Sequence, residues 1–203
     1  MKTIDYIKTW LEENLSAKRY HHSLGAAEAA QTLAKLFNQD EEKAYLAGLV
    51  HDCAKNFDDS ELLNVINEEI KTGFDKTELK NPKTFHAIVG AYLVQKEFEI
   101  DDPEIISAVR NHTIGKTNMT IFDKIIFLAD KIEPNTRDKI YTKKIWKLIE
   151  KNKGLIGLNL ALLKCFCETI KKLVTKKYYI CSNTIDVYNE LQQQVGELLE
   201  EDS

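Results

Sequence analysis

Apolar positions recur at spacings of three and four along almost the whole chain, the period of helices that bury one face. Ile4, Ile7, Trp10 and Leu11 share one side of a helix expected from Thr3 to about Leu15. A second helix is expected from about His22 to Phe37. There Gly25 with Ala26, Ala27, Ala29, Ala30 and Ala34 removes bulk and invites close approach. Asp40 suits the N-cap of a third, with Glu41 and Glu42 complementing the helix dipole. Its apolar segment begins near Ala44 and runs into His51-Asp52. Further helices are expected from Asp58 to about Lys71, closed by Gly73, and from Thr84 to Phe98 after the Asn81-Pro82 break. Asp102-Pro103 starts another that ends near His112, and Thr120 to Asp123 reads as a capping box opening a helix that runs to Pro134. Thr142 to the end reads as three more, the middle one long and apolar from Leu155 to Val174. Alternating strand patterns with hairpin turns are missing, and only three prolines and eight glycines punctuate the chain. The pattern predicts an all-α, single-domain helical bundle.

Composition changes this picture little. The 203 residues are 43% hydrophobic and 30% charged, ordinary for a soluble globular domain. A net charge of -4 gives no bulk case for binding nucleic acid. Eleven lysines fall between Lys139 and Lys177, against only Glu150 and Glu168. A solvated helix face explains such a run better than a polyanion site. Cys53, Cys165, Cys167 and Cys181 form neither a disulfide framework nor a Cys-x-x-Cys zinc motif. The first residues lack the apolar core of a signal peptide, and no run is long enough to span a membrane, so a cytoplasmic location is expected.

The chemistry lies at helix ends. His51 and Asp52 are adjacent inside an apolar segment, where an unpartnered polar pair would cost several kcal/mol, by rough reckoning. Neighbouring residues on a helix point about 100° apart, so such a pair serves one centre only if the helix presents its edge. Asp130 closes the apolar run Ile125-Ile126-Phe127-Leu128-Ala129, and a carboxylate there needs a cation. With His22, His86 and His112, the chain offers imidazole and carboxylate donors on separate helices. Nitrogen and oxygen donors without thiolate suit iron, manganese, cobalt or zinc and do not choose among them. Asp123 is better explained by its capping box than as a ligand, and His21 as a surface residue.

These residues stand in segments that resemble a known family. Lys18-Arg19-Tyr20-His21-His22-Ser23-Leu24-Gly25, Leu49-Val50-His51-Asp52-Cys53-Ala54-Lys55, His86-Ala87-Ile88-Val89-Gly90, Asn111-His112-Thr113-Ile114-Gly115 and Leu128-Ala129-Asp130-Lys131-Ile132-Glu133-Pro134 occur in the order of the HD-domain metal-dependent phosphohydrolases. Within these they are similar to the YqeK-type symmetrical bis(5'-nucleosyl)-tetraphosphatases. The resemblance implies an HD-type helical domain over 1–203, with a metal-site core at about 18–135 and C-terminal helices at about 142–200. It implies His22, His51, Asp52 and Asp130 as ligands of one metal ion, with His86 and His112 binding a second or the substrate phosphates. The implied cofactor is one or two divalent or trivalent transition-metal ions, iron before manganese, cobalt or zinc. The implied catalytic residues are Asp52, Lys55, His86 and His112. Substrate would meet His22, Gly25, Lys55, His86, His112, Thr113, Asp130 and Arg137, with Gly25 letting nucleotide approach the backbone. The implied reaction is hydrolysis of diadenosine tetraphosphate to two ADP. Two other readings stay open: an HD phosphohydrolase for a mononucleotide, dNTP or cyclic nucleotide, and a nucleotide-binding module without catalysis. A homodimer is also open. Lys131, Ile114 and Ser182 depart from the family pattern, which usually has an aromatic, a threonine and a proline there.

Overall fold

In the computed structural model, which describes residues 1–152 and 154–201, short polar side chains set where helices begin. The Thr3 side chain accepts the Tyr6 amide to open α1 (Ile4–Asn14), and Ser16 accepts that of Arg19 to open α2 (Ala17–Leu36). Asp40 does the same for α3 (Glu41–Val50), and Asp58 makes a capping box with Glu61 for α4 (Asp59–Val65). A turn of 3-10 helix, Pro82–Thr84, leads into α5 (Phe85–Lys96). Asp102 caps α6 (Pro103–Asn111), and the predicted Thr120–Asp123 capping box opens α7 (Ile121–Ile132). Asp138 caps α8 (Lys139–Lys151), which precedes α9 (Gly154–Thr175) and α10 (Ser182–Glu201). Among the described residues there is no strand, and no helix is long and apolar enough to cross a membrane.

Several boundaries differ from the apolar pattern. α2 starts at Ala17 rather than near His22, because Ser16 caps a first turn whose Lys18 and Arg19 carry no apolar stripe. α8 likewise starts at Lys139, before Thr142. The helix expected from Asp58 to Lys71 is α4 followed by a π-turn, Ile66–Ile70. Lys71, with φ +63°, closes that turn in the left-handed region. α5 stops at Lys96, short of Phe98.

The main apolar cluster draws on every helix but α4, with Ile7, Leu33, Leu49, Val94, Leu128, Leu162 and Leu191 all in it, and a smaller one joins Leu62 of α4 and Ile66 to Phe85, Ile88 and Val89. α7 runs through its middle, buried on nearly every side, and Phe127 stacks on Phe166 of α9 with ring centroids 4.5 Å apart. The alanine-rich face of α2 meets α3 so closely that a Cβ at Gly48 would lie 2.7 Å from the Ala26 carbonyl oxygen. That crossing, with no bulk between backbones, brings His22 against the end of α3. α10 is tied on by a buried lysine: Lys124 Nζ donates to Asn159 Oδ1 at 2.8 Å and Gln194 Oε1 at 3.0 Å. The lysines of α8 and of the end of α9 are mostly exposed, and Lys164 and Lys171 pair with Glu168.

Candidate metal centre

Five helices meet at one point. α3 stops at Val50, and the chain goes on in tight turns, with the Cys53 amide donating to Val50 O and that of Lys55 to Asp52 O. Outside the regular helix, the neighbouring side chains of His51 and Asp52 can point into one centre. His22 comes from the second turn of α2, His86 from the start of α5, His112 from just past α6, and Asp130 from the end of α7. All six are buried, none more than 5% exposed.

The donor atoms face each other. His22 Nε2 lies 3.2 Å from His51 Nε2, 3.0 Å from Asp130 Oδ1 and 3.6 Å from Asp52 Oδ2. His51 Nε2 lies 3.6 Å from the same Asp52 oxygen and 3.7 Å from Asp130 Oδ1. The other Asp52 oxygen, Oδ1, is 3.3 Å from His86 Nε2 and 3.4 Å from His112 Nε2, and those two nitrogens are 3.2 Å apart. The result is two groups, His22/His51/Asp52/Asp130 and Asp52/His86/His112, sharing the Asp52 carboxylate.

The outer ring nitrogens show which atoms are free to ligate. His51 Nδ1 donates to Gly48 O and His112 Nδ1 to Val109 O, both at 2.7 Å, and carbonyl oxygens can only accept. His22 Nδ1 lies 3.0 Å from Glu133 Oε1. With those protons outside, each Nε2 turns a lone pair inward. Lone pairs and carboxylate oxygens alone would repel one another. Asp52 Oδ1 is buried without a hydrogen bond despite its two imidazole neighbours. An acceptor-only cluster of this kind fits a cation.

Cationic side chains surround the two carboxylates. Arg19 meets Asp52 Oδ2 at 2.6 Å, and Lys55 Nζ lies 4.0 Å from Asp52 Oδ1. Arg137 and Lys131 both bond the Asp130 carboxylate. Burial pushes the Asp52 carboxyl up, but its imidazole neighbours, His51 first, and the Lys55 ammonium outweigh it and hold the group well below the usual range. Burial acts the same way on Asp130, where Lys131 and Arg137 prevail. His86 is driven down to about 3 by burial and by Lys55, whose Nζ lies 2.9 Å from its Nε2. Burial also lowers His51 and Lys55. Thr113 Oγ1 lies 3.2 Å from both His86 Nε2 and His112 Nε2.

The six donors, Lys55, Thr113 and Arg137 lie together at this centre, and Gly25 lies behind it. Gly25 does not leave open backbone: a Cβ there would lie 2.5 Å from Glu133 Oε2 and 2.9 Å from Asn135 Nδ2, so side chains of the chain itself fill the space. Arg137 is engaged with Asp130 and is one-third exposed. Sequence reasoning missed Arg19, Lys131 and Glu133 as parts of the site. Arg19 lies three residues before His22 on one helix face, a spacing that was legible. Glu133, a carboxylate between an apolar helix and Pro134, was a weaker signal. His21 is exposed as expected and lines a hollow of about 480 Å³ with Lys18, Asn135 and Thr136, beside the centre. A larger concavity of about 600 Å³, between α1, α3 and α6, contains none of the donors. Asp123 is the capping-box residue and pairs with Lys116 at 2.8 Å.

Comparison with known proteins shows the family. The HD domain family matches residues 19–135. Over 194 residues the chain is 36% identical to the symmetrical bis(5'-nucleosyl)-tetraphosphatase of Halalkalibacterium halodurans, covering 94% of this chain and 95% of that one. It is 35% identical over 181 residues to the protein of that name from Bacillus subtilis, covering 89% and 93%. The crystal structure of a protein from Clostridium acetobutylicum, described as a predicted HD superfamily hydrolase involved in NAD metabolism, superposes with a TM-score of 0.87 at 36% identity, covering 96% of this chain and 99% of that one.

Proposed function

The chain belongs to the HD-domain family and, within it, to the symmetrical bis(5'-nucleosyl)-tetraphosphatases, and from that membership we propose how its own residues carry out the reaction. The protein is a metal-dependent hydrolase that cleaves diadenosine tetraphosphate to two ADP. Water adds across the central anhydride: its oxygen joins one inner phosphorus, and the bridging oxygen leaves on the other nucleoside diphosphate.

The observation that carries the assignment of residues is the buried Asp52 carboxylate, shared by two donor groups and without a hydrogen bond at Oδ1. His22, His51, Asp52 and Asp130 hold one cation; His86 and His112 hold a second or meet the substrate phosphates. When bound, such cations neutralise phosphoryl oxygens and lower the pKa of water to about 7. The donor set, free of thiolate, suits iron, manganese, cobalt or zinc, and iron is the one proposed. Lys55, Arg19, Lys131 and Arg137 ring the centre with positive charge, suited to a tetraphosphate whose own charge repels an attacking nucleophile. Thr113 offers a hydroxyl beside His86 and His112. His86, with its pKa down at about 3, stays neutral and is a weak proton acceptor, so it serves better as a donor of its lone pair than as a general base. The leaving group is a stable phosphate anion and needs no strong acid.

The helical C-terminal region packs into the same core as the donor helices and is proposed as part of one domain spanning the chain. Four free cysteines suit a reducing cytoplasm, and a homodimer is a further proposal. The deciding experiment is product identification from diadenosine tetraphosphate. ADP as sole product is expected; ATP with AMP, or faster turnover of mononucleotides and cyclic nucleotides, would reject the substrate assignment.

A further inference from the structure

Glu133 lies one residue beyond α7, has no solvent exposure, and touches none of the inward-facing donor atoms. Every bond it makes is nonetheless directed at shaping the centre. Oε1 faces His22 Nδ1 at 3.0 Å, and the amides of Asn135 and Thr136 donate to Oε2 at 2.7 and 3.0 Å. Thr136 Oγ1 also donates to Oε1 and lies 3.4 Å from His22 Nδ1. With two backbone amides and the Thr136 hydroxyl donating to it, the carboxylate is an acceptor, and the only proton it can share with His22 is the one on Nδ1. Asn135 Nδ2 in turn donates to His21 O, tying the 133–136 turn to α2.

The room for this arrangement comes from Gly25, one turn past His22 on α2. Any larger residue would bring a Cβ to 2.5 Å from Glu133 Oε2. We propose that Glu133 is a positioning residue of the metal centre, fixing the Nδ1–H form and ring angle of His22, and that Gly25 exists to seat its carboxylate. The proposal rests on the reading of His22 as a metal ligand. It gives Gly25 a role in metal affinity and removes the need for nucleotide at its backbone. In metal sites, partners of this kind change affinity by about 10- to 100-fold when mutated.

The test is Mn2+ titration of purified, metal-stripped protein at pH 8, alongside its thermal midpoint without metal and histidine 15N spectra. In Glu133→Gln the amide nitrogen can turn to His22 Nδ1 and reverse its tautomer, so Mn2+ affinity should fall about 10- to 100-fold. The His22 proton signal should move from Nδ1 to Nε2. Gly25→Ala should weaken Mn2+ binding in the same range, and Gly25→Ala/Glu133→Gln should be little weaker than either single variant, since both act through one carboxylate. Glu133→Asp, which keeps the charge, should recover part of the affinity. A lowered thermal midpoint with unchanged Mn2+ affinity and tautomer in the folded variants would overturn the proposal, as would fully additive losses in the double variant. If the wild-type protein itself binds no Mn2+, iron or other transition metal, the metal-centre reading fails first, which separates the two.

Discussion

The two halves of the centre share Asp52 but are built differently around it. In the half made by His22, His51 and Asp130, each imidazole is locked from behind, His51 by the Gly48 carbonyl and His22 by Glu133. In the other half only His112 is locked in this way, by Val109 O; both ring nitrogens of His86 face Lys55 Nζ, at 3.2 and 2.9 Å. A lysine against an imidazole competes with a cation and welcomes a phosphate. On the proposed mechanism, one side is a permanent cation seat and the other a place where metal and polyphosphate are handled together.

Substitutions can break that comparison, in decreasing order of effect. Asp52→Ala removes the carboxylate common to both halves and leaves Arg19 without its 2.6 Å partner. Metal content and hydrolysis should both vanish; activity in a rigorously metal-free Asp52→Ala protein would refute the mechanism. Next come His51→Ala and His86→Ala as a matched pair. The first should abolish tight metal binding. The second should retain at least one bound ion per chain while kcat falls on the order of 10²–10³-fold. Elemental analysis of both variants decides: equal loss of metal from the two would show the halves to be equivalent. The smallest effect is expected from Lys55→Met. A charge-assisted hydrogen bond contributes about 1.5–3 kcal/mol, so kcat/KM for the tetraphosphate should drop roughly 10- to 100-fold. Metal content should be unchanged, and a metal-deficient Lys55→Met protein would place Lys55 on the cation side instead.

Much of this was legible along the chain. Polar caps announced themselves at Asp40, Asp102 and Thr120 because N-cap chemistry is local, involving an amide two or three residues away. The donors were legible because imidazole and carboxylate groups in apolar segments demand a partner. The first turns of α2 and α8 were not, since their helicity follows from Ser16 and Asp138 rather than from an apolar stripe. The π-turn at Ile66–Ile70 was hidden because its residues fit an α-helical period equally well. Glu133 escaped for a further reason. Its partners are His22 on α2 and the turn that follows it, and no local pattern links positions so far apart in sequence.

By itself, then, the sequence determined the helical class, most helix starts and the set of donors, all of which depend on side-chain chemistry and spacing within a few residues. Only the tertiary structure decided which ring nitrogen of each histidine faces inward, which oxygen of Asp52 meets which histidines, and what Gly25 is for. Those answers depend on the α2–α3 crossing at Gly48, on carbonyls exposed where helices end, and on a glutamate from the far end of α7. Each is a distance between segments remote in sequence, and such distances come into being only when the core closes.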